Sequence, residues 1–263
     1  MIKLDLRKYG TNFSRDDIYT ELEAIGASPS DIQYVTVAPG SSIPDYAFYA
    51  DDAHDSVFPN LELVYNLNTC VSIGESAFGR CYMLRNTDIS KADTIGYSAF
   101  EFCIGLTNIK IKPGVSLPYG CFAVCENLSV VYNLNKCTSI GVYAFGCCLS
   151  LQTVDISSCS NIDSYAFETC RNLTTVKLCP KIELKQGTFH ECSSLTTVYN
   201  LNKCTALRNP DSYGSYGVFA GCQSLKNSDL SSCSHIGPYT FLDCTSLISM
   251  KLASGVEIQS YAF

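Results

Sequence analysis

The chain has 263 residues, 46% of them hydrophobic and 16% charged, with a formal net charge of −7. That length exceeds one ordinary core, so two domains or one elongated repeat array is expected, and the hydrophobic content excludes a disordered chain. The acidic balance excludes a nucleic-acid partner, which needs a basic stripe, and without a run of about 18 apolar residues no membrane span is expected.

The first segment, "MIKLDLRKYG", lacks the apolar core of a secretory signal, so either the chain stays inside a cell or a leader has been trimmed. Within it "IKLDL" reads as a short strand. In "FSRDDIYTELEAIG" Ser14 is a helix N-cap with Asp17 three residues on. Ile18, Leu22 and Ile25 make an apolar face and Gly26 stops the helix. Residues 1–31 are therefore expected to cap the open apolar end of a repeat array that fills 32–263. The alternative is a docking segment that ties the array to another chain, giving an oligomer or a larger assembly.

From residue 32 onward the chain repeats itself. Phe48, Phe78, Phe100, Phe122, Phe145, Phe167, Phe189, Phe219, Phe241 and Phe263 stand 22 or 23 residues apart, with two steps of 30. Cys81, Cys103, Cys125, Cys148, Cys170, Cys192, Cys222 and Cys244 each follow a Phe by three residues, and a Leu follows each Cys by three more. In the unit "LQTVDISSCSNIDSYAFETCRN", Val154 and Ile156 alternate as in a strand. Ile162 marks a bend, and Phe167 and Cys170 are spaced for one helical turn. No such unit buries its apolar face alone, so stacking must align Leu on Leu, Phe on Phe and Cys on Cys.

The longer steps carry seven-residue inserts, one after Phe48 and one in "ALRNPDSYGSYGVF". Solenoid inserts emerge as loops, often on a binding face. The first holds Asp51, Asp52, Asp55 and His54, but their spacing matches no calcium loop, and no metal or other cofactor is expected. The second offers Tyr213 and Tyr216 in a Gly-containing context suited to recognition. Phe263 falls in the middle of a unit, so further repeats or another domain are expected beyond it.

The runs "VSIGESAFGRC", "DTIGYSAFEFC" and "TSIGVYAFGCC" resemble the BspA-like leucine-rich repeat, and the resemblance covers about residues 32–263. It implies an α/β fold: a right-handed horseshoe of about ten units, the last truncated. A parallel concave sheet and short helical or 3-10 convex turns go with it, and the N-terminal cap adds one helix. It further implies a surface or secreted adhesion protein of bacteria or protists, with bacteriophage members also known. The leaderless start leaves a virion or an intracellular setting open.

A second period runs through the first. Units rotate through "VYNLN", "D-[IL]-S" and "K-[IL]", so the residue between the inward strand positions is Tyr65, Asp88, Lys110, Tyr132, Asp155, Lys177, Tyr199, Asp229 and Lys251 in turn. These side chains point away from the core, and with strands about 4.8 Å apart each Asp stands beside a Lys. "VYNLN" has one residue more than "VDIS", which reads as a bulge holding Asn66, Asn133 and Asn200. Two readings of the row stay open. Duplication and charge alternation explain it structurally, exposed Asp–Lys pairs being worth about 0–1 kcal/mol each. Alternatively it is a repeated contact surface for a protein or a polymeric glycan on a surface.

Besides the eight cysteines after Phe, Cys70, Cys137, Cys159, Cys204 and Cys233 follow the strands, leaving Cys121, Cys147 and Cys179 outside both sets. Recurrence once per coil predicts buried free thiols rather than disulfides. No hydrolase, phosphate-loop or metalloprotease motif occurs, so no enzyme is expected. Two functions remain: a binding or adhesion module, or a structural component of an assembly such as a phage virion, attached through residues 1–31.

Overall fold

The computed structural model describes residues 2–49, 58–209 and 216–263. The candidate residues Asp51, Asp52, His54, Asp55 and Tyr213 lie outside them. Two compact units divide the chain, residues 1–133 and 134–263.

In the first unit Ile2–Asp5 is a strand and pairs in parallel with Ile32–Thr36, Leu4 opposite Val35. The helix Arg15–Ile25 begins as its sequence requires. The Ser14 side chain accepts from the Asp17 N–H, and the Asp17 carboxylate accepts from the Ser14 N–H at 2.7 Å. Gly26, at φ 64°, ends it in the left-handed conformation. Ile18, Leu22, Leu4, Leu6 and Phe13 are buried, whereas Ile25 is exposed.

Stacked coils of parallel strands fill both units. In the first, Thr87–Ile89, Asn108–Ile111 and Val130–Tyr132 form one three-stranded sheet, and Ile2–Asp5, Ile32–Thr36 and Leu63–Tyr65 another. In the second unit Thr153–Ile156, Thr175–Leu178 and Thr197–Tyr199 pair, as do Asn227–Leu230 and Ser249–Leu252. The bend expected at Ile162 is itself a strand. Asn161–Ile162 pairs with Ser139–Ile140, and Ser42–Ile43, Ser72–Ile73 and Thr94–Ile95 stack the same way in the first unit. Each coil thus contributes to two ladders.

The helical turn expected between Phe and Cys is corrected by the backbone. In the coil of Phe100, Ser98 and Phe102 have φ of 50° and 59°. Glu101 N–H and Cys103 N–H bond back to Ser98 and Phe100, at 3.0 and 3.2 Å. The alternate amides of Ser98, Phe100 and Phe102 donate instead to Tyr119, Cys121 and Ala123 of the next coil, each at 2.9 Å. A helix would spend every amide within its own coil. Left-handed residues at every fourth position turn half of them outward, so backbone bonds as well as side chains join successive turns.

Inside, Phe78 stacks on Phe48 and Phe100 with ring centroids 5.3 and 5.1 Å apart. In the second unit Phe145, Phe167 and Phe189 do likewise at 5.2 and 5.6 Å. The cysteine three residues later is buried and donates its thiol to the preceding coil's Phe carbonyl. Cys103 reaches Phe78 O and Cys125 reaches Phe100 O at 3.1 Å, and Cys170 and Cys192 reach Phe145 O and Phe167 O at 3.2 Å. An alanine would fill similar space but leave the carbonyl without this donor. Burial raises the Cys103 thiol well above its ordinary pKa and pushes Cys244 up to about 12, so the reactive thiolate is scarce at neutral pH. In native protein only Cys147 and Cys179, the two thiols that are not buried, are expected to react quickly with Ellman's reagent. Denaturation without reductant should release all sixteen. Fast native labelling of Cys103 or Cys125, mapped by mass spectrometry, would contradict this packing.

The Tyr-type coils are not bulged. Asn66 and Asn200 sit in the left-handed conformation, at φ 68° and 66°, and lead into one-turn 3-10 helices at Leu67–Thr69 and Leu201–Lys203. Leu67 and Leu201 are buried, filling the core position that Ile156 takes in an Asp-type coil. The detour has a cost in sheet continuity. Among the described residues no ladder joins Leu63–Tyr65 to Thr87–Ile89, or Thr197–Tyr199 to Asn227–Leu230. The predicted order Tyr, Asp, Lys is therefore cut into paired blocks running Asp, Lys, Tyr.

Candidate binding surface

Strand alternation turns the residue between two inward positions outward. In the first unit Asp88 is in register with Lys110, and Lys110 with Tyr132. In the second, Asp155 is in register with Lys177 and Lys177 with Tyr199, and Asp229 faces Lys251. Tyr65 stands in register with Thr36 in a different sheet, so the paired strands do not join it to Asp88. Tyr65, Tyr132 and Tyr199 are 42%, 53% and 58% exposed, which leaves much of each side chain open to a partner.

The lysines meet their neighbouring carboxylates. Lys110 Nζ lies 3.3 Å from Asp88 Oδ2, Lys177 Nζ 3.1 Å from Asp155 Oδ2, and Lys251 Nζ 3.7 Å from Asp229 Oδ2. At such exposed positions each pair is worth about 0–1 kcal/mol. The aspartates also have local work. The "D-x-S" spacing lets Asp88, Asp155 and Asp229 accept the backbone N–H of Ser90, Ser157 and Ser231 at 2.9, 3.0 and 3.0 Å. Burial raises the Asp88 and Asp155 carboxyls, but the serine donors and the lysines outweigh it and hold both below the usual range. At Asp229 the Ser231 hydrogen bonds alone take the lead in the same direction. These carboxylates are ionised strand terminators, poorly suited to general-base work.

The small polar residues beside the row also have partners within the fold. Thr196 and Thr174 donate their hydroxyls to Thr174 O and Gln152 O, at 3.1 and 2.9 Å, tying strand to strand. The asparagines serve the backbone as expected: Asn66, Asn133 and Asn200 donate through Nδ2 to Val37 O, Ile111 O and Leu178 O, each at 2.8 Å. What remains uncommitted along the row is chiefly the tyrosines.

One residue of this surface escapes the repeat ruler. Tyr34 lies one coil from Tyr65, their ring centroids 6.3 Å apart, and precedes the first Phe of the series. Alternation through Tyr34, Val35 and Thr36, with Val35 buried between two partly exposed residues, is the signal that could have found it. Beside Tyr65 the break in the sheet leaves a notch of about 280 Å³, lined by Tyr65, Asn66, Asn68, Asn86 and Asp88 among others. Tyr216, the described tyrosine of the second insert, does not join the row. Its ring packs edge-on against Tyr165 and His190, with centroids 6.0 and 5.2 Å away, and the residue stays 45% exposed.

Among the described residues no helix is long and apolar enough to cross a membrane. The family profile described as "BspA type Leucine rich repeat region" matches in six copies, over residues 41–174, 94–213 and 210–263. A leucine-rich repeat protein of T. pallidum superposes with a TM-score of 0.53 at 25% identity, over 73% of this chain and 78% of that one. A leucine-rich repeat protein from Bacteroides ovatus gives 0.49 at 19% identity, over 88% and 75%. A leucine rich cell surface protein from Faecalibacterium prausnitzii gives 0.42 at 17%, over 97% and 79%. No curated protein matches.

Proposed function

This chain belongs to the BspA-type leucine-rich repeat family, and from that premise we propose that it is a non-enzymatic binding module whose contact surface is the outward strand row. The carrying observation is the pattern of commitment along that row. Asp88, Asp155 and Asp229 are tied to serines and lysines, while Tyr65, Tyr132 and Tyr199 present exposed faces. Aromatic faces flanked by fixed charge pairs suit an extended partner, a protein or a polymeric glycan on a surface, and repetition of weak contacts adds avidity.

Residues 1–31 are assigned to capping and 32–263 to the repeat array. The burial of Leu4, Leu6, Phe13, Ile18 and Leu22 within the fold supports this, since it leaves little of that apolar face for docking. The adhesion reading, with a cell-surface or secreted location, follows the family resemblance.

The test is a triple variant, Tyr65→Ser, Tyr132→Ser and Tyr199→Ser, assayed against immobilised polymeric glycans and whole cells. Binding is expected to fall at least tenfold, each exposed aromatic being worth about 0.5–1.5 kcal/mol beyond its buried area. Unchanged binding by a variant with native circular dichroism would remove the row from the account.

A further inference from the structure

A second polar recess lies in residues 134–263, and none of the row's residues lines it. The short strands Glu183–Leu184, Ala206–Leu207, His235–Ile236 and Glu257–Ile258 pair in that order; Leu184, Ala206, Leu207 and Ile236 are buried, and Ile258 is exposed. Between them opens a cleft of about 490 Å³, lined by Glu183, Lys185, Arg208, Asn209, His235 and Gln259 among others. That volume falls in the range of small-ligand sites.

The ionisable groups in it already have partners. Arg208 Nε lies 3.1 Å from Glu183 Oε2, Lys185 pairs with Asp163 and donates to Asn161 Oδ1 at 2.8 Å, and His235 Nδ1 lies 3.3 Å from Glu257 Oε2. Asn209 is the exception. It is only 5% exposed, its Nδ2 donates to Pro238 O at 3.0 Å, and its Oδ1 is buried with no donor in reach. Gly237 makes the space for it. A β-carbon there would stand 2.6 Å from Asn209 N and 3.2 Å from Asn209 Cβ.

We propose that this cleft binds a neutral sugar residue of a glycan. The orphan Asn209 carbonyl calls for an O–H or N–H donor. A phosphate or carboxylate would have to compete with Glu183 and Asp163 for cations they already neutralise. Sugar hydroxyls both donate and accept, which matches a wall of paired donors and acceptors without breaking an ion pair. The inference uses different residues from the strand row, so the two readings fail separately.

The experiment presents the full chain with neutral gluco-, manno- and galacto-hexasaccharides, a sialylated and a sulfated oligosaccharide, and a mixed hexapeptide library. Binding is followed by calorimetry and saturation-transfer NMR. A neutral hexasaccharide is expected to bind, and Asn209→Ala and Gln259→Ala each to weaken it about tenfold. Should Asn209→Ala fail to fold, Gln259→Ala, on an accessible side chain, decides. Binding of the anionic sugars or the peptides alone, no binding of any neutral hexasaccharide, or indifference to the cleft variants would overturn the proposal.

Discussion

Phe167→Ala is expected to lower the free energy of unfolding by about 3–5 kcal/mol, the usual cost of deleting a buried phenyl ring. Phe167 is fully buried and stacked on both sides, 5.2 Å from Phe145 and 5.6 Å from Phe189. The cavity cannot close easily, because backbone bonds such as Phe167 N–H to Thr188 O, at 3.0 Å, hold the coils at fixed spacing. Phe263→Ala is the internal control. That ring is 58% exposed and has one ring neighbour, Phe241, at 5.7 Å, so its loss should cost less than about 1 kcal/mol. Urea denaturation of the two variants compares them, and similar midpoint shifts would show that the rings do not form a nearest-neighbour stack.

Asn200→Ala is expected to cost about 2–5 kcal/mol, from two sources that a second variant separates. Its backbone is left-handed at φ 66°, which disfavours alanine by about 1–2 kcal/mol. Its side chain also donates to Leu178 O at 2.8 Å, and a buried acceptor left without a partner costs about 1–3 kcal/mol. Asn200→Gly keeps the conformation and loses only the hydrogen bond, so it should be the milder change. Equal losses in thermal denaturation would mean that the left-handed turn carries no strain for alanine.

The coil length, the Phe stack and the Asp–Lys register were legible because each rests on a rule with a fixed period. Side chains alternate along strands, and stacked units repeat their inward residues. The turn around Phe100 was not legible. Ser98 and Phe102 adopt left-handed backbone without the glycine or asparagine that usually signals it, and coil-to-coil amide bonds supply the compensation. The extra residue of "VYNLN" is visible in the sequence, yet spacing alone does not distinguish a bulge from a left-handed Asn ahead of a 3-10 turn. The consequence, a sheet interrupted after Tyr65 and Tyr199, is a tertiary effect of that local choice. At the surface, the serine two residues after each Asp was in plain view. Charge alternation points to ion pairs, although the turn hydrogen bond from Ser90, Ser157 or Ser231 is the more local constraint. Likewise, buried cysteines were readable from recurrence, but the thiol bond to the neighbouring Phe carbonyl needed coordinates.

On the proposed reading Tyr65, Tyr132 and Tyr199 meet the partner. Tyrosine footprinting tests it directly: chain bound to a glycan-coated or cell surface is iodinated under limiting conditions, digested and compared with free chain. Tyr97 and Tyr119, 59% and 50% exposed and outside the row, serve as references. Protection of the three row tyrosines with Tyr97 and Tyr119 still labelled is expected. Protection of Tyr97 and Tyr119 while Tyr132 and Tyr199 stay fully reactive would contradict it.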